Sequence, residues 1–519
     1  MYRIAQLLDR ARQQRPGHVA TRMDGRVRTW AQVHERIARL AAAYRALGAA
    51  PGDRVALLGL NSDRYFETIF ATAWGGTAVV PVNTRLAAPE IAYILEDCRP
   101  AILVVDTAFQ AVLAELPAAL RPAVTISLDA APVPDGQADH EALIAGHAPM
   151  PAAPAGGSDL AGIYYTGGTT GRSKGVMLSH DNLVTNAFNT VDGMRFDRDT
   201  NVLHAAPMFH LADGMNSYAV TALGGSHCFI PRFTPEGALE AIGRYGASHA
   251  AMVPTMLNML SRVEGLERFD TSTLRQINFG AAPMQEAVFR RVQAKFPHVR
   301  LLHGYGMTET APLLTVLPAE YNTLDGPLAG RLSSCGLAVL GVELRIVDTE
   351  GREVPPGTVG EIAARGPNVM LGYWNRPEET AQVLRDGWMH TGDGGYMDEE
   401  GFVFIVDRIK DMVVSGGENV YSAEVENAIA LMDAVAEVAV FGIPHPEWGE
   451  AVHATVVPVA GADLTAEAVI AHCRTVIAGY KCPRSVEIRE QPMPVSGAGK
   501  ILKTELRKPY WQGQDRGVA

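Results

Sequence analysis

Tyr164-Tyr165-Thr166-Gly167-Gly168-Thr169-Thr170-Gly171-Arg172-Ser173-Lys174-Gly175 is the segment around which the rest of this chain is organised. It joins a strand-like run that begins at Ala161 to a polar loop rich in glycine and threonine. Glycine allows the backbone to approach a ligand closely, and successive N–H groups in such a loop form a concavity that binds anions. The threonine hydroxyls and the ammonium group of Lys174 add further donors. The segment therefore predicts a phosphate-binding loop.

The spacing of the lysine excludes one familiar kind of phosphate loop. A Walker A loop places lysine directly after its second glycine and follows it with serine or threonine. In this chain Arg172 and Ser173 lie between Gly171 and Lys174. We therefore expect a phosphate loop of another type.

The bulk composition limits the class of protein. At 519 residues the chain is too long for one typical core, so we expect two or more domains. A formal net charge of −12 argues against a nucleic-acid partner and against a basic membrane-binding surface. The five cysteines are scattered without a pair at metal-site spacing, which is typical of reduced thiols. With no apolar run as long as a membrane span and no signal peptide, we expect a cytoplasmic protein without an integral membrane segment.

Strand-like and helix-like segments alternate over residues 1 to about 125. Trp30 to Leu47 has the apolar spacing of a helix, and a short buried strand follows from Arg54. Such alternation predicts parallel sheets and an α/β fold. Residues 128 to 158 are rich in alanine, proline and glycine, and we expect an irregular connection there. Near residue 408 the pattern restarts, and the roughly 110 residues that remain are enough for a compact α+β domain.

The second strong motif is Leu301-Leu-His-Gly-Tyr-Gly-Met-Thr-Glu-Thr310. Two glycines flank Tyr305, whose ring is able to stack on a base. Thr308 offers a hydroxyl to a phosphate, and Glu309 offers the hard oxygen ligand that Mg²⁺ takes beside ATP phosphates. Each of these residues, taken separately, is also common in surface loops.

Four weaker motifs each have a structural and a functional interpretation. The small residues of Ile277 to Pro283 form an ordinary strand-to-turn signal or a surface for a flat ring. His210 is a half-buried histidine or a wall of a binding site. Asp393, after a Thr-Gly turn, is a turn residue or a carboxylate for two vicinal hydroxyls. Lys500, in Pro494-Val-Ser-Gly-Ala-Gly-Lys500, is a solvated lysine or a reactive one at a flexible tip.

Together and in this order, these motifs resemble those of the adenylate-forming superfamily, which includes acyl-CoA synthetases, luciferases and peptide-synthetase adenylation domains. The usual loop there is Thr-Ser-Gly-Thr-Thr-Gly-x-Pro-Lys-Gly. Gly167 here replaces the serine and Ser173 replaces the proline, so one hydroxyl donor and one rigid turn residue are lost. We therefore expect a looser hold on pyrophosphate without loss of activity.

The resemblance implies a fold as well as a reaction. It implies a large N-terminal domain of layered α/β sheets with a β-barrel-like subdomain, over residues 1–407. It also implies a small mobile α+β C-terminal domain over residues 408–519, with a hinge near Lys410. The implied small-molecule partners are ATP, Mg²⁺, coenzyme A and a carboxylic acid, and the resemblance is compatible with a homodimer.

The resemblance also assigns site residues, which fall into three groups. The residues implied for ATP are Thr166, Gly167, Gly168, Thr169, Thr170, Gly171, Lys174, Gly280, Ala281, Ala282, Pro283, Gly304, Tyr305, Gly306, Met307, Thr308, Asp393 and Arg408, with Asp393 and Arg408 on the ribose. The residues implied for coenzyme A and for domain movement are Lys410, Gly416, Gly417, Glu418 and Lys481, the last of which is equally well an ordinary surface lysine. The residues implied for catalysis are Lys500, Thr166, Glu309 and His210, with Mg²⁺ on Glu309 and Thr166, and with His210 as a wall of the acyl site rather than a proton carrier.

The implied reaction has two halves, and its substrate is the part that the sequence defines least. A carboxylate first attacks the α-phosphorus of ATP, and a thiol then displaces AMP from the acyl-adenylate. The acyl pocket is expected from Phe209, His210, Met215, Tyr218, Gly280 and Met307. We expect Gly280 to leave space for a medium- or long-chain fatty acid, with an aryl or phenylpropanoid acid as the alternative. Two further interpretations stay open, namely a ligase that loads a carrier protein and a catalytically silent binding protein.

Overall fold

The computed structural model describes residues 1–129, 132–166, 173–281, 284, 286–408, 411–415, 418–495 and 501–511, without the side chains of residues 408 and 419. The chain divides into two compact units. The first comprises Met1–Ala281, Lys295–Glu343 and Ala364–Met389, and the second comprises Ala282–Ala294, Leu344–Ala363 and His390–Ala519. The boundary expected between residues 407 and 408 stays a prediction.

The first unit contains a large sheet that carries the second strong motif. Its strands within the described ranges number nine and run in the order Leu337–Ala338, Leu313–Leu317, Arg300–Gly306, Gln276–Gly280, His249–Met252, Asn201–His204, Ser226–Phe229, Val19–Met23 and Arg26–Thr29. The central strands pair in parallel, and antiparallel pairs close both edges.

The second sheet of this unit carries the glycine–threonine loop. Eight strands of the described chain form it, in the order Gly372–Tyr373, Lys174–Ser179, Leu160–Thr166, Ala78–Pro81, Arg54–Leu58, Ile102–Val105, Val124–Ser127 and Ala138–Asp139. The strands from Leu160–Thr166 to Ala138–Asp139 pair in parallel, which confirms the prediction from the alternating pattern. Apolar side chains of this sheet, among them Leu58 and Val80, form one buried core with helix residues such as Ile94.

Two further sheets complete the described fold. One contains Glu343–Val347, Gly360–Arg365, Trp388–Met397, Leu384–Arg385 and Val403–Arg408. The other belongs to the second unit and contains Glu418–Val420, Val413–Ser415, Gly449–Pro458, Val435–His445 and Ser485–Ile488. Valine and isoleucine side chains such as Val440, Val452 and Ile429 form the core of the latter. The predicted α/β class, with large N-terminal sheets and a separate C-terminal unit, is confirmed.

Helices cover the faces of these sheets. The α-helices are Ile4–Gln14, Trp30–Ala46, Asp63–Gly75, Ala88–Cys98, Gln110–Glu115, His140–Gly146, His180–Gly193, Leu211–Leu223, Pro235–Tyr245, Pro254–Ser261, Glu286–Lys295, Pro377–Val383, Ser422–Ala430, Ala466–Val476 and Lys503–Arg507. The 3₁₀ turns are Thr107–Phe109, Ala118–Leu120, Leu266–Arg268, Thr308–Thr310 and Lys508–Trp511. None of the helices in the described ranges has the length and apolar character needed to cross a lipid bilayer.

The connection expected to be irregular contains a helix. Within residues 128–158 the helix His140–Gly146 is capped by Asp139, whose carboxylate accepts a hydrogen bond from Ala142 N at 2.6 Å. Glu141 forms ion pairs with Arg36 and Arg64, each at 2.9 Å. The prediction of an irregular segment was wrong there, because a local cap and distant charges stabilise a short helix despite the surrounding alanine, proline and glycine.

Candidate functional site

The glycine–threonine loop follows the last residue of one strand and precedes the first residue of the next. We call Leu160–Thr166 the incoming strand and Lys174–Ser179 the outgoing strand. They pair antiparallel, with Thr166 opposite Lys174. The implied phosphate ligands Gly167, Gly168, Thr169, Thr170 and Gly171 lie outside the described residues. The base of the loop is therefore a two-stranded ladder with one hydroxyl and one ammonium group at its end.

Tyr373 connects Lys174 to the implied metal ligand. The Tyr373 hydroxyl donates to Glu309 Oε1 at 2.9 Å, and Nζ of Lys174 lies 5.1 Å from the centre of the same ring. A lysine over a tyrosine face is attracted by the ring quadrupole. Tyr373 lies in the short strand that pairs with the outgoing strand, opposite Val176. No local sequence pattern distinguishes Tyr373 from other tyrosines, so its two contacts are apparent only in the folded chain.

Glu309 is held at both its backbone and its side chain. It lies in the 3₁₀ turn Thr308–Thr310, and its carbonyl oxygen accepts a hydrogen bond from Met370 N at 2.8 Å. Its side chain is buried beside Tyr373. The carboxylate of Glu309 and the hydroxyl of Thr166 are hard oxygen donors of the kind that Mg²⁺ prefers. Among the described residues no cluster of three or more histidine, cysteine, aspartate or glutamate side chains that could hold a metal ion occurs.

The glycines of the second motif are required by close backbone packing. Gly280 lies opposite Gly304 in parallel strands, and a Cβ atom on Gly280 would lie 2.2 Å from Gly304 O. A Cβ atom on Gly306 would lie 1.8 Å from Pro312 O. Gly280 was expected to leave space for a long acyl chain. Instead, the backbone of the neighbouring strand occupies the position that a side chain on Gly280 would need.

The ends of these two strands hold the remaining adenine-site candidates of the first unit. Ala281 follows Gly280 with a φ of +67°, in the left-handed region that few residues with a Cβ adopt. Ala282 and Pro283 lie outside the described residues. Tyr305 is buried, whereas Met307 and Thr308 are half-buried at the start of the 3₁₀ turn.

Four of the six acyl-site candidates lie on or directly before the helix Leu211–Leu223. His210 is the residue before this helix, and its ring lies 4.5 Å from the ring of Phe209. Met215 and Tyr218 lie on the helix, and both are buried. The Tyr218 hydroxyl lies 3.1 Å from the hydroxyl of Tyr164 on the incoming strand. The candidate acyl wall is thus aromatic and phenolic, and it contacts the strand that leads into the phosphate loop.

A buried polar chain next to this wall escaped the sequence analysis. Asp213 Oδ1 hydrogen-bonds Nδ1 of His204, and Nε2 of His204 lies 3.0 Å from Nδ1 of His227. Burial raises the pKa of Asp213 and lowers the pKa of His227. Asp213 lies in the first turn of the helix Leu211–Leu223, which contacts the strand Asn201–His204.

The implied ribose ligands belong to the second unit. Asp393 lies directly opposite Arg408 in antiparallel strands. Asp393 N donates to Thr391 Oγ1 at 3.1 Å, and Thr391 Oγ1 donates to Ile362 O at 2.8 Å. The carboxylate of Glu361 accepts a hydrogen bond from Gly392 N at 3.0 Å, which fixes the turn before Asp393. Two residues that are distant in sequence are thus register partners.

The implied coenzyme A residues are described only in part. Lys410, Gly416, Gly417 and the adenylation lysine Lys500 lie outside the described residues. Glu418 is exposed in the strand Glu418–Val420. Lys481 Nζ lies 2.7 Å and 2.8 Å from the two carboxylate oxygens of Glu424, and this hydrogen bond raises the pKa of Lys481. Lys481 is therefore already paired with an anionic partner.

Three side chains of the second unit form a stack that the sequence did not indicate. The rings of His445 and Trp448 lie 4.2 Å apart and nearly parallel, at 8°. The guanidinium of Arg484 lies 4.6 Å from the centre of the Trp448 ring. The Trp448 ring thus contacts both an imidazole ring and a guanidinium group.

Comparisons with known proteins place this geometry in context. The family model described as AMP-binding enzyme matches residues 8–374, and that described as AMP-binding enzyme C-terminal domain matches residues 424–500. The chain is similar to a feruloyl-CoA synthase of an Amycolatopsis species, with 39% identity over 95% of this chain and 96% of the relative. It is also similar to a long-chain-fatty-acid–CoA ligase of Salmonella typhimurium, with 36% identity over 93% of this chain and 90% of the relative. Among solved structures, ATP-bound MatB from Rhodopseudomonas palustris is 34% identical, with a TM-score of 0.87, covering 98% of this chain and 99% of that one.

Proposed function

Because the chain belongs to the AMP-binding enzyme family of adenylate-forming proteins, we propose that it activates a hydrophobic carboxylic acid as an acyl-adenylate and transfers the acyl group to coenzyme A. AMP and pyrophosphate are the other products. The observation that carries the proposal is the linkage of Lys174, at the base of the phosphate loop, to Glu309 through a single buried tyrosine.

The first half-reaction sets an anion against a polyanion, so its difficulty is electrostatic. Reactions at phosphorus gain chiefly from positioning and from stabilisation of developing charge. Lys174 supplies a positive charge and Thr166 a hydroxyl donor at the base of the loop. Glu309 and Thr166 would hold Mg²⁺, which neutralises phosphate charge when bound. Lys500 would contribute a second ammonium group, placed between the substrate carboxylate and the α-phosphate.

Two residues of the second unit have the chemical groups that are needed to bind a ribose. A carboxylate accepts from two vicinal hydroxyls, and a guanidinium donates to ring or hydroxyl oxygens. Asp393 and Arg408 supply one group of each kind at the same level of an antiparallel ladder. We assign them to the ribose of the nucleotide.

The second half-reaction requires a thiol to approach the acyl-adenylate. Glycines 416 and 417, next to Glu418, suit a backbone that lies along a narrow pantetheine channel. The stack of His445, Trp448 and Arg484 suits an adenine ring with adjacent phosphates, because a base stacks on an aromatic face and a guanidinium binds phosphate. Lys481 would also bind a phosphate of coenzyme A, after its ion pair with Glu424 has broken.

A hinge at Lys410 would allow the C-terminal domain to serve both half-reactions in turn. Lys410→Pro fixes the backbone angle φ and removes a donor. We expect this variant to slow one half-reaction much more than the other. Equal slowing of both would argue against a hinge at this residue.

Of the two acid classes, an aryl acid is now the better supported. The acyl wall is aromatic and phenolic, with Phe209, His210, Tyr218 and Tyr164, and Gly280 no longer argues for a long chain. The relative with 39% identity is a feruloyl-CoA synthase, whereas the long-chain-fatty-acid ligase has 36%. A medium- or long-chain fatty acid remains the second candidate.

A panel of acids with ATP, Mg²⁺ and coenzyme A tests the proposal, with pyrophosphate release and thioester formation as the two readouts. We expect hydroxycinnamic or other aryl acids to give the highest kcat/KM, and fatty acids of eight or more carbons to follow. A carrier protein replacing coenzyme A tests the loading alternative. If none of the acids in the panel gave pyrophosphate release, the result would support the silent binding protein instead.

A further inference from the structure

One helix contacts both strands at the base of the phosphate loop. Tyr93 and Asp97 lie one turn apart on the helix Ala88–Cys98, so their side chains point to the same face. Tyr93 contacts the residue before the outgoing strand, and Asp97 contacts the incoming strand. We call Tyr93 and Asp97 the helix clamp.

The Tyr93 side of the clamp holds a backbone carbonyl. The Tyr93 hydroxyl donates to Ser173 O at 3.2 Å. Nη2 of Arg376 donates to the Tyr93 oxygen at 2.9 Å. Because the arginine occupies a lone pair of that oxygen, the hydroxyl proton is directed to the Ser173 carbonyl. The peptide that leads into Lys174 is thereby fixed from one side.

The Asp97 side holds the other strand. The Tyr165 hydroxyl donates to Asp97 Oδ2 at 2.6 Å, and Trp374 Nε1 donates to Asp97 O at 3.1 Å. Trp374 N in turn donates to Gly175 O at 2.7 Å. Thr166, the last described residue before the loop, thus follows a residue that this helix holds, and Lys174 lies between Ser173, which the helix holds directly, and Gly175, which it holds through Trp374.

We propose that Tyr93 is a positioning residue for ATP, because its bond to Ser173 O fixes the backbone before Lys174 in place of the proline that usually stands there. A proline at residue 173 would restrict that backbone through its ring. Serine leaves it free to rotate, and the Tyr93 hydrogen bond restores the restriction from outside the loop. The inference rests on the proposed function, since it requires ATP to bind at this loop.

Tyr93→Phe removes the hydroxyl and keeps the ring. A lost hydrogen bond of this kind costs a factor of about three to ten, so we expect KM for ATP in acid-dependent pyrophosphate exchange to rise by about that factor, with a smaller change in kcat. The matched control is Tyr245→Phe, which removes a hydroxyl that accepts from Asp24 N at 3.1 Å, outside the loop. The control should leave KM unchanged.

Rescue by proline separates positioning from general damage. Ser173→Pro alone should stay within about twofold of the wild type, and it should return the KM of Tyr93→Phe to within about twofold, so that the two changes are not additive. Additive effects, or a KM in Tyr93→Phe equal to that of the control, would overturn the proposal.

A measurement that does not depend on activity completes the test. Backbone hydrogen exchange of the outgoing strand should be faster in Tyr93→Phe than in the wild type and in Tyr245→Phe. If Ser173→Pro does not fold, this comparison decides alone, and unchanged exchange would overturn the proposal. A wild-type protein without any acid-dependent pyrophosphate exchange would refute the proposed function instead, whatever the hydrogen exchange shows.

Discussion

The Tyr373 hydroxyl donates a hydrogen bond to Glu309 Oε1 at 2.9 Å, within the buried part of the first unit. The same ring carries the ammonium group of Lys174 on its face, 5.1 Å from the ring centre. One side chain therefore orients both the carboxylate assigned to Mg²⁺ and the lysine assigned to phosphate. The hydroxyl and the ring serve different neighbours, so substitution separates their effects.

Tyr373→Phe keeps the ring under Lys174 and removes the donor to Glu309. We predict that the Mg²⁺ concentration for half-maximal exchange rises by about three- to tenfold, while KM for ATP at saturating Mg²⁺ changes by less than about twofold. Tyr373→Leu should also raise KM for ATP, because the cation–π contact is lost as well. Mn²⁺ binding with ATP, followed by electron paramagnetic resonance, gives a readout independent of turnover. Identical behaviour of the two variants would contradict separate roles for the hydroxyl and the ring.

Gly280→Ala tests the packing explanation of that glycine. A methyl group 2.2 Å from Gly304 O must push the two parallel strands apart. We therefore predict a clear fall in melting temperature, both for the free protein and with any substrate bound. Gly146→Ala, where nothing lies within 4 Å of the new Cβ, is the control and should be neutral. If Gly280→Ala melted with the wild type and merely shortened the accepted acyl chain, the glycine would serve the pocket after all.

The ion pair between Lys503 and Glu426 attaches the segment that follows Lys500 to the helix Ser422–Ala430. Nζ of Lys503 lies 2.7 Å from Glu426 Oε1 and donates to Ser422 Oγ at 2.5 Å. Burial lowers the pKa of Lys503, but the charges of Glu426 and Asp407 outweigh this effect and hold the pKa above its ordinary value. Lys503→Met leaves a buried carboxylate unpaired, and we predict a destabilisation of roughly 3 kcal/mol at pH 7.

The control for Lys503 is Lys508→Met, an exposed lysine in the following turn. The double variant Lys503→Met/Glu426→Gln should recover much of the loss, because the unpaired charge is removed. Equal melting temperatures for Lys503→Met and Lys508→Met would show that the pair contributes nothing measurable.

Buried histidines predict a loss of stability in acid. Burial lowers the pKa of His303 to about 4, from an ordinary value of 6.5, and His180, His249 and His453 are lowered to about 4 in the same way. Between these two pKa values the unfolded chain binds more protons than the folded one, so stability is fully present above about pH 6.5 and is lost as the pH falls towards 4. One such shift is worth about 3 kcal/mol.

His303→Gln isolates one of these groups. The Nδ1–H of His303 donates to Ser334 O at 3.2 Å, and glutamine offers an uncharged N–H donor in its place. The melting temperature should fall less steeply between pH 6.5 and 4 in the variant than in the wild type. If the melting temperatures of the variant and the wild type fell equally steeply with pH, His303 would not titrate between pH 6.5 and 4.

The local signals of the sequence were enough for the elements that bear on the site. The helix His180–Gly193 begins at a cap that is local in sequence, with the Ser179 hydroxyl accepting a hydrogen bond from Asn182 N at 3.1 Å. The phosphate loop likewise follows a strand, as its apolar run predicted. In these cases the cap or the alternation lies within a few residues of the element that it defines.

Contacts between distant residues were not predictable in this way. Tyr373 reaches Glu309 across 64 residues, and Lys481 reaches Glu424 across 57. Neither tyrosine nor lysine carries a local mark of its partner. The Asp213–His204 pair was missed although only nine residues separate its members, because one lies in a strand and the other in the following helix.

Acid-dependent exchange of labelled pyrophosphate into ATP, compared between the wild type and Lys500→Ala, tests the central claim most directly. We predict exchange in the wild type that requires both Mg²⁺ and a carboxylic acid, and a loss of about a hundredfold or more in the variant. The variant should still form thioester from supplied acyl-adenylate and coenzyme A at a rate within about threefold of the wild type. Exchange in Lys500→Ala near the wild-type rate, or no exchange in the wild type with any acid, would contradict the account.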